Sequence, residues 1–181
     1  PGGRERHRPA ALDRAAPYLV LAPGAEYGPA KQWPALHYRA AARALAAAGH
    51  RLIVAGLPGE RGLGDAILEG LAGAVNLAGR TTLPELVALL AGARLVSSND
   101  SGAMHVAAAL GVPQVALFGS TNPGWTAPLN ARATVIYRAE PCSPCYARTC
   151  PLGHLRCLVE IHPEQVVAEA ERLLKETGSV A

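Results

Sequence analysis

The sequence predicts an α/β domain: a parallel sheet with helices on both faces. Three observations carry this reading. Short apolar runs alternate with helix-forming stretches along most of the chain, and the turns between them are short enough for crossover units. Half of the residues are hydrophobic while aromatics make up only 4%, so the core is mostly Ala, Leu and Val. Small aliphatic side chains suit helices packed closely on a sheet. At 181 residues the length fits one domain with one core. The basic, Pro- and Arg-rich opening, with Arg4, Arg6, Arg8 and Arg14, has no periodicity and reads as a linker or flexible start over residues 1–16. Residues 17–181 form the domain, including a Cys-rich segment over 141–158 and a closing helix over 163–175.

The elements follow in order. Tyr18 to Ala22 is the first strand, ended by Pro23 and Gly24. A long loop with Glu26, Tyr27, Lys31 and Trp33 leads to a helix from Ala35 to Ala48, stopped by Gly49. Trp33 is either a hydrophobic peg in a plain connection or part of a ligand loop. Arg51 to Ala55 is the second strand, followed by a Gly- and Pro-rich turn that places Glu60 near a helix start. There a carboxylate is favoured by the helix dipole, and it is equally suited to accept hydrogen bonds from a ribose. Ala74 to Leu77 is a third strand. A Thr cap with Glu85 three residues later opens the next helix, which Gly92 ends.

The central stretch, Arg94 to Trp125, reads as strand (Leu95, Val96), polar turn, helix (Ala103 to Leu110), a stop at Gly111 and Pro113, and strand (Val115 to Phe118). Its polar chemistry is gathered in the turn. In a parallel sheet that turn lies at the carboxyl ends of the strands, where the free N–H groups of a helix start meet ligands. Asp100 or Ser101 can cap the helix, Gly102 lets a ligand approach the backbone, and His105 follows within a turn. Thr134 to Tyr137 adds a strand, and an amphipathic helix from Pro163 closes the domain. Right-handed crossovers place Lys31, Glu60, Thr81 or Thr82, Asp100, Ser101, Gly102, His105 and Thr121 on one sheet edge.

Net charge is +3, without aromatic interleaving or a basic helix face, so a nucleic-acid partner is not expected. No apolar run approaches the roughly 20 residues of a membrane helix, and the expected location is cytoplasmic. The two lysines, Lys31 and Lys175, stand among fifteen arginines, and a lysine in a ligand loop offers a compact point charge for phosphate. All four cysteines, Cys142, Cys145, Cys150 and Cys157, fall in one segment with His154 among them. Clustered thiols of this kind are either a structural zinc site or four reduced thiols; the spacing of the second pair differs from that of standard fingers.

The stretches PGAEYGPAKQWP, NDSGAMHVAAALGVPQVALFGSTNP followed by TAPL, and the CSPC, TCPLGH and RCL pieces together closely resemble the carboxyl-terminal half of the ADP-heptose:lipopolysaccharide heptosyltransferases, glycosyltransferase family 9, most of all the heptosyltransferase II type. The resemblance runs from about Tyr18 to Leu174. It implies the Rossmann-like carboxyl-terminal half of a GT-B glycosyltransferase, with the donor site here and the acceptor site in an amino-terminal half. It implies that Lys31 holds the pyrophosphate or sugar, Glu60 the ribose, and Thr81 the adenine. The backbone around Asp100, Ser101, Gly102 and Met104, with His105 close by, would hold the phosphates and heptose. The Asp that serves such enzymes as catalytic base belongs to the amino-terminal domain and has no counterpart here, so this chain alone should be inactive. The implied reaction inverts the anomeric centre of ADP-heptose as an inner-core lipopolysaccharide hydroxyl attacks. It needs no cofactor: Lys31 and the helix start can stabilise the departing diphosphate, and the turns lack a paired-carboxylate Mg²⁺ site. Peripheral contact with the inner membrane is a further implication. Other readings are a different nucleotide-sugar transferase or epimerase, or a non-catalytic nucleotide-binding or interaction module.

Overall fold

The computed structural model describes residues 16–178. The expected linker, residue 16 apart, lies outside the described residues. Six strands, β1 (Tyr18–Ala22), β2 (Arg51–Val54), β3 (Val75–Asn76), β4 (Leu95–Asn99), β5 (Gln114–Phe118) and β6 (Ala133–Tyr137), form one sheet in the order β3-β2-β1-β4-β5-β6. Every pairing is parallel. This is the doubly wound order, with its topological switch between β1 and β4, where successive connections leave in opposite directions and a crevice opens at the strand ends.

Seven α-helices complete the described fold, α1 (Ala35–Ala47), α2 (Arg61–Leu68), α3 (Leu83–Ala91), α4 (Gly102–Ala109), α5 (Pro123–Thr126), α6 (Arg156–Val159) and α7 (Pro163–Gly178), with short 3-10 turns at Pro29–Lys31 and Pro58–Glu60. Both faces of the sheet are covered, which is why its strands are apolar without alternation. In β1, Leu19 and Leu21 join the core that contains Ala41, Leu45, Ile67 and Leu173 of α1, α2 and α7. Tyr18 and Val20, pointing the other way, join Leu89, Leu90 and Ala107 of α3 and α4. Each of the Val, Leu and Ile side chains contributes about 1.5–3 kcal/mol by leaving water.

The expected elements are present with small shifts. β3 is only two residues long, and α4 begins at Gly102, one residue before the expected start. Thr82 and Glu85 make the expected reciprocal cap of α3: the Glu85 carboxylate accepts from the Thr82 amide at 2.7 Å and from its hydroxyl at 2.8 Å. The two four-residue helices were not expected. α5 opens the segment after β5 with Asn122 capping the Gly124 amide, and α6 lies at the end of the Cys-rich segment. Among the described residues, no helix is long and apolar enough to cross a membrane.

Candidate functional site

A cleft of about 390 Å³ opens at the carboxyl edge of the sheet, within the size range of small-molecule sites. The ends of β1 and β2, the start of α3 and the first turn of α4 form its walls. Gly24 and Gly56 line one side, Thr81, Thr82 and Leu83 another, and Ser101, Gly102 and Ala103 a third. Of the expected site residues, Glu60, Thr81, Ser101 and Gly102 line this cleft.

Glu60 closes a turn and stands on the cleft wall. One carboxylate oxygen accepts from the Leu57 amide at 2.7 Å and so closes the turn before α2. The other lies over Gly24, where an added Cβ would stand 1.9 Å from it. Gly24 is therefore required by close approach: any side chain there would displace the carboxylate from the cleft wall.

Beside the cleft, the end of β4 builds a sealed polar knot. The Asp100 carboxylate accepts from Lys31 Nζ at 2.6 Å and, through the same oxygen, from the Thr121 hydroxyl at 2.6 Å. Asp100 is 6% exposed, so neither bond is diluted by solvent. This corrects the expectation that Asp100 or Ser101 caps α4 with its side chain. Ser101 occupies the cap position without a side-chain capping bond, and Asp100 points at Lys31 instead. It also qualifies Lys31, whose charge is matched by Asp100 within the protein.

Asn99, the last residue of β4, was not singled out from sequence, yet it ties this corner together. Its Oδ1 accepts from the Trp33 amide at 3.1 Å and from the Tyr38 hydroxyl at 3.3 Å. Its Nδ2 donates to the carbonyls of Pro23 at 2.7 Å and Gly24 at 3.3 Å. Of its two readings, Trp33 takes that of a peg: buried, edge-on to Tyr38 at 4.8 Å, with its indole N–H donating to the Ile161 carbonyl. The loop bearing Lys31 is thus held by β4, α1 and the segment before α7.

Two expected residues stand apart from the cleft. Met104 has its side chain fully buried against Ala116 and Phe118, and its amide donates to the Ser101 carbonyl at 3.1 Å. His105 is exposed and does not line the cleft. The amides available to a ligand at this helix start are therefore those of Gly102 and Ala103, whose place in the first turn gives them no intrahelical acceptor.

The four cysteines are free and line one small cavity with Ser120 and His154. The Cys150 sulfur accepts from the Leu155 amide at 3.4 Å, and this and neighbouring backbone N–H groups lower its pKa. Burial, reinforced by the other three thiols, pushes Cys157 up to about 11. The Ser120 hydroxyl is buried without a hydrogen-bond partner. Among the described residues, no group of three or more His, Cys, Asp or Glu side chains stands in metal-holding geometry, so the expected zinc site is not formed as placed.

A doubly wound sheet with a cleft at its switch point, a helix start presenting amides and a carboxylate beside a glycine-lined wall define an α/β domain of the class that holds small ligands at the carboxyl ends of its strands. Residues 3–156 match the model of glycosyltransferase family 9 (heptosyltransferase), and the chain belongs to that family. It is 38% identical over 172 residues to lipopolysaccharide heptosyltransferase 2 of Salmonella typhimurium, covering 92% of this chain and 49% of that protein. Among solved structures it is similar to the E. coli ADP-heptose lps heptosyltransferase II, with a TM-score of 0.82 and 36% identity, covering 93% of this chain and 49% of that one. An E. coli heptosyltransferase solved with ADP aligns with a TM-score of 0.73 at 26% identity, over 90% of this chain and 46% of that one. The chain spans about half the length of the curated relatives it matches.

Proposed function

We propose that this chain is the donor-binding half of an inverting heptosyltransferase that takes ADP-heptose and transfers its heptose to the inner core of lipopolysaccharide at the cytoplasmic side of the inner membrane. The observation that carries the reading is the glycine-lined cleft of about 390 Å³ joined at the switch point to the Asp100–Lys31–Thr121 knot. The ADP-heptose in the name of one similar structure, and ADP in another, support the choice of nucleotide. In this reading the adenine lies between Thr81 and the apolar wall of Leu83 and Leu86, and Glu60 accepts from the ribose. The diphosphate meets the amides of Gly102 and Ala103. As the sugar–oxygen bond breaks, negative charge grows on the leaving diphosphate, and amides fixed at a helix start stabilise it without reorganising. Lys31, held by Asp100, presents its ammonium to the sugar end. In this reading the acceptor and the catalytic base belong to an amino-terminal half outside this sequence, and the residues described here contribute the donor site.

Calorimetric titration with ADP, GDP and UDP tests this. Selective ADP binding is expected, weakened in Lys31→Ala; equal affinity for all three, or binding of none, would sink the nucleotide assignment.

We further propose that Cys142, Cys145, Cys150 and Cys157 hold a structural zinc once their side chains close on the cavity they share. The cavity that all four cysteines line and the amide-stabilised sulfur of Cys150 support it. Elemental analysis of reduced protein is expected to give zinc near one equivalent per chain; metal-free protein with the same melting temperature would remove the site.

A further inference from the structure

We propose that Arg148, on the Cys-rich segment, forms with Tyr27 an anion-binding subsite beside Lys31 that takes a phosphate-type oxyanion. The argument begins with the charge at this corner. Lys31 Nζ is 2.6 Å from Asp100, so that pair is close to neutral toward an incoming ligand. Arg148 makes no ion pair among the described residues, and its guanidinium carbon lies 5.2 Å from the centre of the Tyr27 ring. Lys31 Nζ lies 4.9 Å from the same ring. Two cations on one aromatic ring, against one carboxylate, leave a positive spot at the sheet edge.

An exposed arginine is ordinarily a solvated side chain with no fixed place. This one has its main chain pinned to the loop that bears Lys31. The Arg148 carbonyl accepts from the Ala30 amide at 3.0 Å, and Gly28 abuts it so closely that a Cβ there would lie 2.4 Å from that oxygen. The Tyr27 hydroxyl donates to the Tyr146 carbonyl, and the Tyr146 amide donates to Ser120 at 2.7 Å. The guanidinium therefore stands over Tyr27 on an anchored backbone, which reduces the ordering cost of binding. Its forked donors match a phosphate or carboxylate, and its flat face rests on the ring.

The subsite itself stands on this geometry; only the source of the oxyanion rests on the nucleotide-sugar reading. That source is either the donor diphosphate or an anionic group on the acceptor saccharide. The test is calorimetric titration of the chain with pyrophosphate, ADP and AMP, for the wild type, Arg148→Ala and Arg148→Lys, with thermal melts of each. Arg148→Ala is expected to weaken pyrophosphate about tenfold at unchanged melting temperature, with partial recovery in Arg148→Lys. An equal loss for ADP, with AMP spared, assigns the subsite to the donor diphosphate. A loss for pyrophosphate with ADP unchanged assigns it to an acceptor anion. A wild type that ignores ADP yet binds pyrophosphate through Arg148 keeps the subsite and sinks the nucleotide reading. Pyrophosphate affinity that is absent in the wild type, or unchanged in Arg148→Ala, overturns the subsite.

Discussion

Replacing Asp100 with Ala is expected to abolish measurable ADP binding and to lower stability by about 3 kcal/mol, the low end for breaking a buried ion pair. The carboxylate is the common partner of Lys31 and Thr121, which come from loops on either side of β4. Without it the Lys31 ammonium, only 15% exposed, keeps its desolvation cost and loses its compensation. The loop bearing Lys31 then gains freedom that donor binding must remove again. At this chain length the melting temperature should fall by roughly 10 °C. Asp100→Asn separates the two effects. It keeps an acceptor for Thr121 and most of the shape, so stability should largely return, while the charge that aims Lys31 does not. Lys31→Ala alone leaves a buried carboxylate facing the incoming phosphates, so the double variant Lys31→Ala/Asp100→Ala should bind ADP better than Lys31→Ala. That non-additivity is the signature of a coupled pair. Unchanged ADP affinity in Asp100→Ala, measured below its melting transition, would remove the knot from the donor site.

Most of the architecture was legible because strand and helix boundaries in this chain are marked by Gly, Pro and Thr. Gly49, Gly92 and the Thr82–Glu85 pair end or open helices as their chemistry dictates. The short helices α5 and α6 were not legible, because four residues cannot display a helical period. The site residues were legible as a set on one edge, since the loops of a parallel sheet share a side. Their pairings were not. Lys31 and Asp100 are 69 positions apart, and their contact depends on β1 lying beside β4, which follows from the strand order rather than from any local pattern. The cap expected of Asp100 failed for a related reason. α4 starts at Gly102, so Ser101 holds the cap position and Asp100 is left at the strand end, facing the neighbouring loops.

Asn99 was missed because Ser97, Ser98, Asn99 and Asp100 read together as a polar turn, whereas Ser97 to Asn99 are the buried end of β4. The consequence of that placement is large. Asn99→Leu is expected to cost about 4 kcal/mol or more, placing it among the most damaging single changes in the chain. Leucine matches the volume but leaves the Trp33 amide, the Tyr38 hydroxyl and the Pro23 carbonyl buried without their partner, at about 1–3 kcal/mol for each group. Asn99→Ala makes a smaller side chain and opens polar space that water can enter, so it should be less harmful than leucine, the reverse of the order for an apolar core position. The functional effect follows from where the bonds lead. Asn99 fixes the Gly24 carbonyl and the Trp33 amide, the two ends of the loop that forms one cleft wall and carries Lys31. In Asn99→Ala at a temperature where the chain stays folded, ADP affinity should therefore fall although Asn99 is fully buried beneath the cleft. Denaturant unfolding of both variants, paired with ADP titration of the alanine variant, tests both halves. Leucine tolerated as well as alanine would show that the four hydrogen bonds are not what holds this corner, and full ADP affinity in Asn99→Ala would show that the loop holds its shape without them.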